Sequence, residues 1–167
     1  NDGNARIEEQ IQRMNDIVRY QLRKPATYVS DTLGIAPVAV DAELGRLVEG
    51  LRKVYRDKQP DIRLDIGRDV RFRGDMGDFM EIAGNLLDNA CKWCRKIVQL
   101  RIRGAAPGDP VGSLYMTVSD DGPGIEADVL GRVSEPYWSG RSASGTGLGL
   151  SIVKGIVEAH GGTAFVQ

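Results

Sequence analysis

The sequence predicts an α/β fold of the α+β type, because helical and strand patterns follow one another along its 167 residues. Two segments, 38–56 and 75–95, repeat apolar residues at helical spacing. Between and after them, apolar and polar residues alternate in short runs typical of strands. Apolar residues make up 41% of the chain, which is enough to form a hydrophobic core.

Charge and composition argue against several function classes. The chain carries 22 basic and 23 acidic residues, so it lacks the basic excess of a general nucleic-acid binder. No apolar run approaches the roughly 20 residues that span a bilayer. We therefore expect no nucleic-acid partner and no membrane contact by this chain. Because it begins at Asn1 rather than methionine, we expect it to be a fragment of a longer protein.

The first predicted element is an amphipathic helix within Asn4–Leu22. Its apolar residues form a narrow stripe, namely Ile7, Ile11, Met14, Val18 and Leu22. Such a stripe needs a partner helix, and the mixed charge of the polar side favours a hairpin or dimer face over a helix lying on a membrane. We expect Pro25 to end or bend this helix, and Thr27–Ala36 to be a connector.

A second helix and two strands are predicted next. Val38–Arg56 has the pattern of an amphipathic helix. The runs Ile62–Ile66 and Val70–Arg73 alternate as strands do, and we expect them to form a hairpin through Gly67. Asp75–Arg95 is the next predicted helix.

The remaining elements alternate in type. Strands are predicted at Ile97–Arg103 and Ser113–Ser119, and a sharp turn at Asp121–Gly124. A helix is predicted at Leu148–His160, where two glycines stop it, and a last strand is predicted to begin in "TAFVQ".

The helix segment "EIAGNLLDNACKW" (Glu81–Trp93) contains two asparagines, which are poor helix-interior residues. On a wheel of about 100° per residue, one side is a polar stripe of Glu81, Asn85, Asp88, Asn89 and Lys92. The other side is predicted to be core, with Phe79, Ile82, Leu86, Leu87, Ala90, Cys91 and Cys94. The stripe could be a solvated face. However, amide oxygens also suit Mg²⁺ beside phosphate oxygens, so it could hold a magnesium–triphosphate unit.

Two glycine-rich stretches follow. "VSDDGPGI" (Val118–Ile125) ends a strand with two carboxylates, which can accept from an amino group such as that of adenine, although an ordinary Asp-Gly turn has the same residues. "GTGLGL" (Gly145–Leu150) precedes a helix, and its exposed N–H groups would attract phosphate. It matches neither a Walker A loop nor a Rossmann fingerprint.

Together and in this order, the motifs resemble the catalytic ATP-binding domain of sensor histidine kinases, within the GHKL superfamily that includes gyrase B and MutL. "NLLDNACKW" resembles the N box, "DDGPG" the first glycine box, "EPYW" (Glu135–Trp138) the F box and "GTGLGL" the second glycine box. The resemblance covers 38–167, and "NLLDNACKWC" is most similar to the PhoQ-type subgroup.

The resemblance implies a two-layer sandwich of the Bergerat type. Its mixed, mostly antiparallel sheet of about five strands would be covered on one face by three helices. Residues 1–33 would be part of the second helix of a dimerisation hairpin with its linker. Residues 34–167 would be the catalytic domain, with its final strand missing.

The resemblance also implies that ATP and Mg²⁺ bind to particular residues. Asn85 and Asn89 would ligate Mg²⁺, Lys92 would contact phosphate, and Trp93 would lie along the adenine. Glu81 would be the catalytic base or would orient the acceptor imidazole.

The two glycine boxes would complete the nucleotide site. Asp120 would accept from the adenine amino group, beside a pocket wall of Gly122 and Gly124, and Ile125 would also bind ATP. A mobile lid would span 125–144, with Arg141 as a phosphate contact. The lid hinge and phosphate rest would be formed by Gly145, Gly147 and Gly149, and Thr146 and Leu148 would also bind ATP.

The phosphoacceptor is expected to be absent. In the family it lies on a hairpin helix, whereas the single histidine here, His160, lies near a helix end and fits a surface C-cap region. The implied function is a fragment that transfers the γ-phosphoryl group of ATP to a histidine supplied elsewhere, for onward transfer to a response regulator. The resemblance further implies a homodimer formed through the hairpin helices, and a cytoplasmic domain of an inner-membrane sensor.

Other interpretations remain open. A module gated by nucleotide would bind ATP without transferring it, and gyrase B-type ATPases or serine kinases share the glycine boxes. Cys91 and Cys94 form a C-x-x-C pair on the apolar side of their helix, which favours buried small residues over a redox or metal site. Trp138 could anchor the lid or fill the core.

Overall fold

The structure is a computed structural model that describes residues 38–68, 70–72, 74–133 and 147–167. These residues form two compact units, one ending at Gly124 and the other beginning at Ile125. The predicted helix within Asn4–Leu22 and the connector Thr27–Ala36 lie outside the described residues.

The first unit contains a three-stranded mixed sheet. Strand β2 (Asp61–Ile66) runs parallel to β4 (Ile97–Gly104), and β4 runs antiparallel to β5 (Leu114–Asp120). Val98 of β4 stands opposite Asp120 at the end of β5. A parallel pair needs a crossover connection rather than a tight turn, and the chain between β2 and β4 contains a long helix.

A second, two-stranded sheet is formed by β1 (Val38–Ala39) and β3 (Arg71–Phe72), which are antiparallel. The predicted hairpin through Gly67 is therefore wrong, because β3 pairs with β1 and β2 pairs with β4. The N–H of Gly67 donates to the Ile102 carbonyl of β4 at 2.8 Å, so Gly67 continues the β2–β4 pairing instead of turning the chain. Alternation identified both strands but carried no information about their partners.

The helices α1 (Asp41–Val54) and α2 (Met76–Trp93) share one core with the sheet. Helix α1 begins later than predicted, because Val38 and Ala39 are in a strand. The N-terminus of α2 is capped by Asp75, whose carboxylate accepts from the Gly77 N–H at 2.6 Å. The core contains Leu44, Val48, Leu51, Ile62, Phe79, Ala83, Leu87, Ala90, Cys91, Val98, Leu100 and Ile102.

The outer face of the sheet is polar. Arg101 of β4 and Asp65 of β2 stand opposite each other and form an exposed ion pair at 2.8 Å. Because one face packs on helices and the other is charged, the sheet forms a two-layer arrangement.

The second unit contains a short 3₁₀ helix at Leu130–Arg132 and helix α3 (Gly149–Ala159). The predicted last strand is wrong, since Thr163–Gln167 has no strand and Phe165 is 75% exposed. Among the described residues, this alternating run pairs with no other strand.

The predicted fold class is confirmed. The described strand pairings are mixed and mostly antiparallel, as expected, but the strands lie in two sheets rather than one. Within the described ranges, no helix is both long and apolar enough to cross a membrane.

Candidate functional site

The predicted polar stripe lies along α2. Glu81, Asn85, Asp88 and Asn89 are half-buried, and Lys92 is exposed in the last turn. The Asn85 side-chain nitrogen donates to the Glu81 carbonyl at 2.8 Å. This bond fixes the amide and leaves its Oδ1 atom as a ligand for a cation or an acceptor for a donor. Asn85 is therefore held in a form that suits a hard cation.

The buried side of α2 is narrower than predicted. Ile82 and Leu86 were expected in the core but are half-buried, whereas Ala83 is fully buried. On the helical wheel, Ile82 and Leu86 lie next to the asparagine stripe, while Ala83 lies near the centre of the buried side. The helix thus has an apolar border between its core and its polar stripe.

A chain of three side chains joins the stripe to the end of α1. The Tyr55 hydroxyl donates to Asp88 Oδ1 at 2.7 Å, and Lys92 Nζ lies 2.7 Å from Asp88 Oδ2. Burial and the hydrogen bond to Asp88 raise the pKa of Tyr55, so its hydroxyl stays protonated and donates. Both oxygens of the Asp88 carboxylate are therefore engaged.

The C-terminal turn of α2 is held by the segment that follows α1. Lys58 Nζ donates to the carbonyls of Cys91 at 2.8 Å and Lys92 at 2.6 Å. Carbonyls at a helix C-terminus have no intrahelical partner and carry partial negative charge, so a cation is favourable there. Lys96 Nζ also donates to the carbonyl of Gln59 at 2.8 Å. These bonds fasten the turn that carries Lys92 and Trp93.

The junction between α2 and β4 is organised by Asp121. Its Oδ1 atom accepts from the N–H groups of Arg95, Lys96 and Ile97 at 2.8, 2.9 and 3.0 Å. These bonds, chiefly the one from Lys96, lower the pKa of Asp121. Asp121 therefore ties the end of the strand to the end of the helix.

The DDGPG turn packs directly against the end of α2. A Cβ atom at Gly122 would lie 2.5 Å from both the Trp93 carbonyl oxygen and Asp120 Oδ1. Asp120 Oδ1 accepts from the Gly122 N–H at 2.8 Å, and the ionised carboxylate retains capacity for another donor. Gly124 has a φ of 76°, which favours glycine. The structure thus brings together Trp93, Asp120 and Gly122.

The second unit contains some of the other residues that were predicted to bind ATP. Gly147 has a φ of 68°, and the carbonyl of buried Leu148 accepts from the Ile152 N–H at 2.9 Å where α3 begins at Gly149. Ile125 is 37% exposed. Arg141, Gly145 and Thr146 lie outside the described residues, as do Glu135–Trp138 and most of the predicted lid. His160 is an exposed C-cap of α3, as predicted.

The donors available to a metal ion at this site include amide oxygens. In the described part of the chain, no three His, Cys, Asp or Glu side chains are grouped so as to hold a metal ion. The amide oxygens of Asn85 and Asn89, together with oxygens of a bound phosphate, form a donor set that fits Mg²⁺. Cys91 and Cys94 are free and buried, which confirms that they are core residues.

Three residues with a place in this site were missed at the sequence level. Tyr55 and Lys58 follow α1, and their contacts with α2 depend on tertiary packing that no local pattern reports. Asp121 had a signal, because a second carboxylate beside Asp120 at a strand end invites backbone capping.

Residues 74–167 match the family described as Histidine kinase-, DNA gyrase B-, and HSP90-like ATPase. The chain is 33% identical over 165 residues to Sensor protein PhoQ of Escherichia coli K12. That match covers 96% of this chain and 32% of the relative, so the chain spans about a third of the length of the curated relatives it matches.

Solved structures of sensor kinases are similar to this one. The mycobacterial sensor histidine kinase MprB has 31% sequence identity and a TM-score of 0.63, with 77% of this chain and 81% of that chain covered. Full-length ShkA in complex with AMPPNP has 26% identity and a TM-score of 0.63, covering 79% of this chain and 28% of ShkA.

Proposed function

The chain belongs to the family of histidine kinase-, DNA gyrase B- and HSP90-like ATPases, and on that premise we propose that it is the ATP-binding catalytic part of a sensor histidine kinase. It binds Mg-ATP and transfers the γ-phosphoryl group to a histidine on another segment, for onward transfer to a response regulator. The similarity to PhoQ and MprB, both named as sensors, supports this choice within the family.

The observation that carries the proposal is the contact of Gly122 with the Trp93 carbonyl and Asp120. It places a carboxylate acceptor beside the helix end that follows the asparagine stripe. Asp120 accepts from the adenine amino group, and Trp93, which is 41% exposed, lies along the adenine ring. Gly122 and Gly124 form the wall of this pocket.

The phosphates are proposed to lie along the stripe of α2. Asn85 and Asn89 would hold Mg²⁺, which neutralises charge on the phosphates as phosphoryl transfer proceeds. Lys92 donates to a phosphate oxygen, and Glu81 orients or deprotonates the incoming imidazole. Because this chemistry depends mostly on positioning, a fixed amide such as that of Asn85 contributes directly.

The second glycine box is also proposed to bind phosphate. Gly147, Leu148 and Gly149 present backbone N–H groups at the start of α3, where the helix dipole favours an anion. Gly145, Thr146 and Arg141 extend this set, and 125–144 serves as the lid.

The wider context is also a proposal. Residues 1–33 contribute to a hairpin that dimerises the parent protein, and 34–167 form the catalytic domain. The parent is an inner-membrane sensor whose catalytic part faces the cytoplasm.

A phosphotransfer assay in trans tests this function. The chain is incubated with a separately produced histidine-bearing hairpin and ATP labelled at the γ position. We expect acid-labile phosphate on the hairpin and none on the chain when it is incubated alone. We expect none on the hairpin when the Glu81→Gln variant replaces the parent chain. If the chain binds ATP but transfers nothing to any hairpin, the nucleotide-gated module replaces the kinase.

A further inference from the structure

The contacts of Asp88 with Tyr55 and Lys92 have no role in the function proposed above. Lys92 is the cation assigned to phosphate, yet its ammonium is paired with the Asp88 carboxylate at 2.7 Å. We propose that Asp88 is a positioning residue that competes with nucleotide phosphates for Lys92, and that Tyr55 sets the strength of this competition. The inference rests on the proposed binding of Mg-ATP.

Asp88 lies where its charge can act on bound phosphate. It precedes Asn89 directly and occupies the same polar stripe as Asn85. The side chains of Asp88 and Lys92 are 40% and 36% exposed, so both are open to a ligand. An ammonium has three donors, and Asp88 engages one of them. A triphosphate would therefore meet a cation whose charge is already partly neutralised.

Tyr55 holds the carboxylate in this position. Its hydroxyl lies 2.7 Å from Asp88 Oδ1 and 3.3 Å from the Asp88 carbonyl oxygen. A neutral donor on one carboxylate oxygen disperses part of the negative charge that faces Lys92 and the phosphates. Tyr55 is the C-cap residue of α1, so the end of that helix adjusts the phosphate site through Asp88.

Competition of this kind depends on phosphate charge. Repulsion by Asp88 and competition for Lys92 both increase with the number of phosphates, whereas adenine recognition by Asp120 does not. Asp88 should therefore lower the affinity for a nucleoside triphosphate more than for a monophosphate. A purely structural role would change both affinities by the same factor.

Calorimetric titration of the 167-residue chain measures this difference. A non-hydrolysable ATP analogue with Mg²⁺ and AMP are titrated into the parent chain and into Asp88→Asn. We expect the analogue to bind about two- to fivefold more tightly to the variant, which is the range of an exposed ion pair, while the AMP affinity changes by a smaller factor. Asp65→Asn is the matched control. It removes the carboxylate of another exposed ion pair, which joins Asp65 of β2 to Arg101 of β4.

Tyr55→Phe provides an independent test. Removing the hydroxyl leaves more negative charge beside Lys92, so the analogue should bind more weakly, and the AMP affinity should fall by a smaller factor. In the double variant Tyr55→Phe/Asp88→Asn, the affinity should equal that of Asp88→Asn alone, because Tyr55 acts through the carboxylate. Circular dichroism confirms that each variant is folded before titration.

The outcomes separate the two proposals. If the parent chain binds neither nucleotide, the proposed function fails and this inference falls with it. If the parent binds both, but Asp88→Asn leaves the ratio of the two affinities unchanged or lowers that for the triphosphate, the inference is overturned and the function stands. If the double variant differs from Asp88→Asn in its affinity for the ATP analogue, the proposed role of Tyr55 is overturned.

Discussion

Gly122 lies so close to Trp93 that a Cβ atom on Gly122 would be 2.5 Å from the Trp93 carbonyl oxygen. Trp93 ends α2, and Gly122 follows the end of β5 by two residues. The contact therefore fixes the end of the helix against the turn after the strand. The position requires glycine because of this approach.

Gly122→Ala should displace the turn from the helix. We expect a loss of about 1–3 kcal/mol in the free energy of unfolding, typical of overpacking, and weaker binding of adenine nucleotides. Urea denaturation and calorimetry measure the two effects. Gly104→Ala is the control, since a Cβ there would meet no atom within 4 Å. Equal stability of the two variants would show that the turn accommodates a Cβ atom without a loss in the free energy of unfolding.

Asp121→Asn should change how stability responds to acid. The N–H groups of Lys96, Ile97 and Arg95 lower the pKa of Asp121 in the folded chain. The ionised Asp121 therefore stabilises the fold above about pH 3.9, the pKa of an aspartate in the unfolded chain. This stabilisation is lost as the pH falls through the lower pKa of Asp121 in the folded chain. We expect the parent chain to lose more stability than the variant between about pH 5 and pH 3. Urea denaturation across that range measures the difference.

The control for this comparison is Asp57→Asn, which removes a carboxylate that is 99% exposed. It should follow the parent chain over the whole pH range. If Asp121→Asn also follows the parent, then the three backbone bonds do not favour the charged form.

Lys58→Met should loosen the last turn of α2. The ammonium donates to the carbonyls of Cys91 and Lys92, so its removal leaves both without this partner. We expect a loss of about 1–2 kcal/mol in the free energy of unfolding. Thermal or urea denaturation measures this, with Lys53→Met, an exposed position on α1, as the control. Identical curves for the two variants would show that the Lys58 hydrogen bonds do not stabilise this turn.

The thiols should be protected in the native chain. Burial raises the pKa of Cys91 to about 11 and also raises the pKa of Cys94. The pKa of these thiols is higher in the folded chain than in the unfolded chain, where it is about 8.5. The protonated thiols therefore stabilise the fold below about pH 8.5, and this stabilisation is lost as the pH rises towards 11. At about pH 8 we expect slow reaction with an aromatic disulfide reagent, and rapid reaction of both thiols in urea.

Val111→Cys supplies the positive control for thiol reactivity, because residue 111 is fully exposed in a loop. Its new thiol should react at once in the native chain. Rapid reaction of two thiols in the parent chain would contradict the burial of Cys91 and Cys94.

The parts of the fold that were predictable are those set by local pattern. Periodicity located α1, α2 and β4 to within a few residues, because each has one apolar side that must be buried. It could not assign partners. The pairing of β2 with β4 depends on a crossover through α2, so a short loop at Gly67 was misinterpreted as a hairpin.

The site was predictable where residue type is unusual for its position. Asparagines inside a helix and a glycine pair after two aspartates both stand out, and the structure brings Trp93, Asp120 and Gly122 together. Tyr55 and Lys58 could not be identified, since a tyrosine and a lysine after a helix are ordinary residues. Only their contacts with Asp88 and the carbonyls of α2 distinguish them.

The central claim is that the asparagine stripe of α2 binds Mg-ATP, and calorimetric titration of Asn89→Ala tests it most directly. Gln99→Ala, which removes an amide from β4, serves as the control. We predict that Asn89→Ala loses Mg²⁺-dependent ATP binding while its circular dichroism spectrum and unfolding midpoint match those of the control. Unchanged affinity for Mg-ATP in a folded Asn89→Ala chain would contradict the account.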